Sequence, residues 1–106
     1  MTSSEKIVLI VDDNLDDRYT YRRYLSQDAI NTYQIIEAET GEEGLEFNHK
    51  NNPDLILLDY LLPDMDGLEF IRELKTSYDC LPPIIMLTGE GNESIAVANG
   101  RTGGVS

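Results

Sequence analysis

Leu55-Ile56-Leu57-Leu58-Asp59 is an apolar run that closes on a carboxylate, and Tyr60-Leu61-Leu62-Pro63-Asp64-Met65-Asp66-Gly67 turns directly after it. Four apolar residues in succession, without the alternation of a half-exposed strand, suit a strand covered on both faces, as in a parallel sheet. Lys6-Ile7-Val8-Leu9-Ile10-Val11 has the same character and also closes on carboxylates, Asp12 and Asp13. Two buried strands would then present three carboxylates at their carboxyl ends.

Working outward, Tyr33-Gln34-Ile35-Ile36-Glu37 reads as a further strand, and Ile84-Ile85-Met86-Leu87 as another that ends on Thr88 and Gly89. Helices are expected between them. Asn14 is placed to cap the first, with Asp16 and Asp17 in the turn where the helix dipole favours negative charge. This helix should run to about Gln27 with Tyr21, Tyr24 and Leu25 packing inward. Thr40-Gly41-Glu42-Glu43 is a capping-box sequence opening a second helix that carries Leu45 and Phe47, and Asn51-Asn52-Pro53 stops it. Asp66 caps a third, with Gly67, Phe70, Ile71, Leu74 and Tyr78 on one face. Pro82-Pro83 punctuates the chain before the fourth strand, after which Asn92 is expected to cap a short fourth helix over 93–98, closed by Gly100.

Strict alternation of strand and helix with short connections implies an α/β fold: a parallel sheet, right-handed crossovers and helices on both faces. At 106 residues this is one domain, residues 1–106. Ligands of such sheets bind outside the carboxyl ends of the strands, where Asp12, Asp13, Asp59 and Thr88 all fall.

Composition removes several function classes. Hydrophobic residues at 41% and charged ones at 26% fit a globular domain rather than a disordered one. No apolar run approaches a membrane span and residues 1–6 do not resemble a signal peptide, so the cytoplasm is the expected location, with no membrane partner. Cys80 and His49 are the only residues of their kinds, which excludes an intrachain disulfide and Cys/His zinc spacing. A formal net charge of -12 opposes contact with a phosphate backbone, so no direct nucleic-acid binding is expected.

Any one of these aspartates alone is ordinary turn chemistry. Asp16, Asp17, Asp64 and Asp66 are read that way; Asp12, Asp13 and Asp59 stand apart because they share one edge. Carboxylates within about 4–6 Å of one another repel by a few kcal/mol per pair at an effective dielectric of about 20. Either one member is protonated or a hard divalent cation balances them, and Mg²⁺, which takes one or two carboxylates plus waters and often a phosphate oxygen, suits this ligand set. Beside such a cation, with the Thr88 hydroxyl near, Asp59 is the best candidate for a phosphoryl acceptor through an acyl phosphate. A Mg²⁺-dependent phosphatase would want a second carboxylate two residues after Asp59, where Leu61 stands, and flavodoxin-like cofactor binding would want a phosphate loop where Asp12-Asp13-Asn14 stands.

The stretches Val8-Leu9-Ile10-Val11-Asp12-Asp13-Asn14, Pro53-Asp54-Leu55-Ile56-Leu57-Leu58-Asp59, Leu62-Pro63-Asp64-Met65-Asp66-Gly67 and Pro83-Ile84-Ile85-Met86-Leu87-Thr88-Gly89 jointly resemble the receiver domains of two-component response regulators. The resemblance covers about residues 6–98. It implies a flavodoxin-like doubly wound sheet with strand order 2-1-3-4, and a phosphorelay function in which Asp59 takes phosphate from a histidine kinase or phosphotransfer protein. It also implies Mg²⁺ held by Asp12, Asp13, Asp59 and the Leu61 backbone carbonyl, and a switch hydroxyl on Thr88. A receiver is not an enzyme beyond catalysing its own phosphorylation and dephosphorylation.

The family pattern continues with a fifth strand, a lysine at its end that pairs with the phosphoryl group, and a fifth helix. Here the lysines are Lys6, Lys50 and Lys75, and residues 99–106 do not read as a strand. Two expectations follow: the domain is truncated or atypical after about residue 98, and the fourth strand is an exposed edge that pairs with a second copy, giving a homodimer through the fourth strand or fourth helix. The alternative function is a phosphorylation-impaired, receiver-like protein-interaction module. The cognate kinase, the signal and the output are not written in the sequence.

Overall fold

The apolar runs do become adjacent strands. In the computed structural model, which describes residues 5–77, 81–87 and 95–98, the chain passes through β1 (Glu5–Val11), α1 (Leu15–Ser26), β2 (Thr32–Ala38), α2 (Gly41–Asn51), β3 (Leu55–Asp59), α3 (Gly67–Ser77), β4 (Ile84–Leu87) and β5 (Ile95–Ala98). The sheet order is β2-β1-β3-β4-β5, with β1 through β4 parallel. The expected 2-1-3-4 arrangement therefore stands inside a five-stranded sheet.

The helix starts follow their caps. Asn14 Oδ1 accepts from the Asp17 N–H at 2.9 Å, Thr40 Oγ1 from the Glu43 N–H at 3.0 Å, and Asp66 Oδ1 from the Glu69 N–H at 2.8 Å, each satisfying a first-turn donor that has no partner within its helix. Glu43 reaches back past the cap and accepts from the Glu39 N–H at 2.9 Å, one residue before the N–H that a capping box takes. At its other end α2 closes on Asn52 in the left-handed conformation, φ 47°, and Pro53 prevents continuation.

Two faces of the sheet are filled differently. Leu9, Val11, Ile56, Leu58 and Ile84 join Phe70, Ile71 and Leu74 of α3 in one buried cluster, with Leu45 and Phe47 of α2 packed against it. Gly44 lets α2 lie close: a Cβ there would fall 2.8 Å from Val11 Cγ2 and 2.9 Å from Phe70 Cε2. On the opposite face α1 packs against β2. Its inward residue is Arg18; Tyr21 and Leu25 are half-buried, while Tyr24, expected inside, is 68% exposed. Arg18, rather than an aromatic stripe, is the buried residue of α1. Among the described residues no helix is long and apolar enough to cross a membrane.

Two expectations fail together at the last strand. Residues 95–98, read as part of a short fourth helix, are β5, antiparallel to β4 along Ile84↔Ala98 through Leu87↔Ile95. The β4 edge expected to be bare is thus covered, which removes the ground for a homodimer through an exposed fourth strand or a fourth helix. A fifth strand is present, though short and reversed. The reason is backbone satisfaction: four residues with Ile95 and Val97 gain more by laddering onto the N–H and C=O groups of β4 than by one isolated helical turn. Tyr78, Cys80, Thr88, Gly89, Asn92 and Gly100 lie outside the described residues.

Candidate functional site

β1 and β3 are neighbours in register, with Val11 beside Leu58, so the next residues along, Asp12 and Asp59, emerge side by side at the carboxyl edge. Asp13 completes the group: one carboxylate oxygen from each of Asp12, Asp13 and Asp59 lies within 4.8 Å of the others. The three expected residues are therefore together, and they differ in burial: Asp12 is 2% exposed, Asp59 half-buried and Asp13 open to solvent.

The electrostatics follow. Burial pushes the Asp12 carboxyl up to about 6, with the neighbouring charges of Asp59, Asp17 and Asp13 adding to it and the Asn14 N–H opposing. Burial also raises Asp59; the Leu61 N–H opposes, while the charges of Asp13 and Asp17 reinforce the rise. Tyr21, on the α1 turn above, is pushed up to about 12 by burial and by Asp12, Asp17 and Asp59, so its hydroxyl remains protonated. The site is one of concentrated, under-compensated negative charge.

The loop after Asp59 is tightly pinned. Tyr60 donates to the Leu87 carbonyl at 2.9 Å, Gly67 to the Tyr60 carbonyl at 2.6 Å, and Leu62 to the Met65 carbonyl at 3.1 Å, while Leu61 and Asp66 form an isolated bridge. Leu61 is 60% exposed, at the mouth of the site. Asp64, read from sequence as local turn chemistry, reaches across to α2. Its two oxygens accept from the Gly41 N–H at 2.8 Å and the Glu42 N–H at 3.0 Å. Met65 lies over Gly41, where a Cβ would meet its side chain at 2.5 Å. This strap ties the loop carrying Leu61 to the start of a helix twenty residues earlier, and no local pattern announces it. Asp64→Ala is expected to lower stability by about 1–2 kcal/mol, the usual value of a lost helix cap, in urea unfolding; a loss under about 0.5 kcal/mol would deny the strap any weight.

One further residue escaped the sequence reading. Arg18 donates through Nη1 to the Asp12 carbonyl at 2.8 Å and through Nε to Glu37 at 2.7 Å. Charge on a helix reads as solvated surface, and nothing local marks this one as buried. Thr88, the expected switch hydroxyl, lies outside the described residues; Leu87, just before it, pairs with Asp59 across the sheet.

The family described as Response regulator receiver domain matches residues 8–105. The transcriptional regulatory protein ResD of Bacillus subtilis (strain 168) is 38% identical over 101 residues, which is 95% of this chain and 40% of that protein. The response regulator MprA of Mycobacterium sp. (strain KMS) is 40% identical over 91 residues, 86% of this chain and 38% of that protein. The chain thus spans about two-fifths of the length of these relatives. Among solved structures, the N-terminal domain of a response regulator receiver protein from Methanoculleus marisnigri JR1 superposes with a TM-score of 0.69 at 34% identity, covering 80% of this chain and 68% of that one. With the fold, the edge carboxylates and these relatives in agreement, the chain belongs to the response regulator receiver domain family of two-component signal transduction.

Proposed function

We propose that Asp59 is the phosphoacceptor of this receiver, taking a phosphoryl group from the phosphohistidine of a histidine kinase or phosphotransfer protein, with Mg²⁺ as cofactor. The observation that carries the reading is the set of three carboxylate oxygens, from two strand ends, within 4.8 Å of one another. Mg²⁺ takes one or two carboxylates together with other oxygen ligands, a donor chemistry that these three carboxylates would supply.

Asp12, Asp13, Asp59 and the Leu61 carbonyl would hold the ion, which when bound offsets charge on the carboxylates and on the transferring phosphoryl group. An Asp59 oxygen forms a bond to phosphorus as the P–N bond breaks. The bonding pair stays on the imidazole nitrogen, which leaves neutral when the other ring nitrogen carries the proton. Thr88 follows the residue paired with Asp59 and is the hydroxyl proposed to meet the phosphoryl oxygens. Beyond its own phosphorylation and dephosphorylation the domain catalyses nothing.

One feature favours a second reading, a receiver that binds Mg²⁺ and a partner without taking phosphate: within residues 1–106 no lysine follows Lys75. Losing a charge-assisted contact to the phosphoryl group costs about 1.5–3 kcal/mol. Incubation with Mg²⁺ and a small acyl phosphate, followed by intact mass, separates the two. The expected result is one added phosphate on the wild type and none on Asp59→Asn. No addition, together with Mg²⁺-dependent thermal stabilisation, would establish the second reading; absence of both would sink each of them.

A further inference from the structure

We infer that Arg18 is a positioning residue for the acidic site: its guanidinium fixes the Asp12 peptide, and so the direction in which the Asp12 carboxylate meets Asp13 and Asp59. The inference rests on reading that trio as a Mg²⁺ site.

Asp12 is held from three sides. Its N–H donates to the Ala38 carbonyl at 3.0 Å, its carbonyl accepts from Arg18 Nη1 at 2.8 Å, and its Oδ1 accepts from the Asn14 N–H at 2.9 Å. Of these anchors only Arg18 is a side chain. It is also the one cation among the buried polar residues described, at 7% exposure. The fork is held in turn. Nε donates to Glu37 Oε1 at 2.7 Å and Nη2 stands 3.7 Å from Glu39 Oε2. Arg22 Nε, 3.5 Å from Glu37 Oε2, steadies the same carboxylate.

Glu37 pairs in register with Ile10, on the face covered by α1, so Arg18 joins α1, the end of β1 and the end of β2 at one point. An arginine is needed because a planar fork bonds a carboxylate and a carbonyl at once, which an ammonium or an apolar chain does not reproduce.

Charge and position predict opposite signs. A cation beside Asp12 competes with a metal, so a purely electrostatic role makes Mg²⁺ bind more tightly once Arg18 is neutralised. Glu37, at 2.7 Å, already neutralises the guanidinium and leaves little of that effect. Loss of the outer partners that orient metal ligands typically weakens metal binding about 10–100-fold. Position should therefore win, and neutralising Arg18 should weaken binding.

Calorimetric titration of Mg²⁺ into the wild type, Arg18→Met, Arg18→Lys and Glu37→Gln, each with its melting temperature, tests this. The expected result is a Kd raised about 10-fold or more in Arg18→Met, partly recovered in Arg18→Lys, and raised less in Glu37→Gln, which keeps the bond to Asp12. A core variant of matched melting temperature, Ile84→Val, should leave the Kd unchanged. A lower melting temperature with unchanged Kd in Arg18→Met makes Arg18 merely structural and overturns the inference, as does tighter binding. If Arg18→Met shows no cooperative unfolding, Glu37→Gln decides by the same criterion. A wild type that binds no Mg²⁺ removes the metal-site reading itself, and the inference with it.

Discussion

Phe70→Ala is expected to cost the fold about 3–5 kcal/mol, the range for truncating a fully buried aromatic. Against a typical domain stability of about 5–15 kcal/mol, that leaves the protein close to unfolding. Phe70 is fully buried and one of the largest side chains that are. Its ring edge lies where a Cβ of Gly44 would stand, so the neighbouring helix has no side chain at that position to collapse into the space. The cavity should therefore persist and the cost fall at the upper end. Urea unfolding measures it, with the midpoint shifting at unchanged slope. Leu68, on the same helix but 51% exposed, supplies the comparison: its truncation should cost about 0.5 kcal/mol or less. Equal losses at the two positions would mean that α3 does not pack through Phe70.

The second large effect has the opposite sign. Without divalent cations at neutral pH, Asp12→Asn is expected to stabilise the domain by about 2–3 kcal/mol, from the rise of the Asp12 carboxyl to about 6 at about 1.4 kcal/mol per tenfold in proton affinity. The folded state of the wild type holds the Asp12 proton more tightly than the unfolded chain does. Its stability should accordingly fall as pH rises from about 4 through about 6, and the penalty should be complete above that window. Asp12→Asn removes this part of the decline, keeps an oxygen for the Asn14 N–H and forfeits Mg²⁺. Saturating Mg²⁺, about 100-fold above its Kd, should stabilise the wild type by about 2.7 kcal/mol and the variant by far less. Thermal melts across pH, with and without Mg²⁺, check both halves. Asp16→Asn, which removes an equal charge from the exposed side of α1, should move the melt little. If Asp12→Asn proves less stable than the wild type at neutral pH without metal, the buried carboxylate is a net stabiliser and the strain assigned to it does not exist.

Several features were legible in the chain because they are local. The apolar runs ending on Asp12 and Asp59 became neighbouring parallel strands, and Asn14, Thr40 and Asp66 cap the helices they precede. The acidic trio was legible because strand polarity alone sends all three residues to one edge. What stayed hidden depends on partners far away in sequence. Arg18 is inside because Glu37 and the Asp12 carbonyl await it there. Asp64 looked like a turn residue because its bonds go to Gly41 and Glu42. Ile95-Ala96-Val97-Ala98 is too short for periodicity to separate helix from strand, and the free edge of β4 decided it. Tyr24 shows the converse error, helical spacing taken for an inward face on a helix whose buried residue is an arginine.

The reversed direction of β5 acts as an address for whatever the chain carries next. A parallel last strand delivers its final residue to the rim where the carboxylates sit. Here Ile95, the first residue of the strand, lies opposite Leu87 and level with Asp59, whereas Ala98, the last, lies opposite Ile84. Three residues at about 3.3 Å each put that exit about 10 Å from the acidic rim. The segment between Leu87 and Ile95 holds no Lys or Arg, so it brings the acidic rim no positive charge.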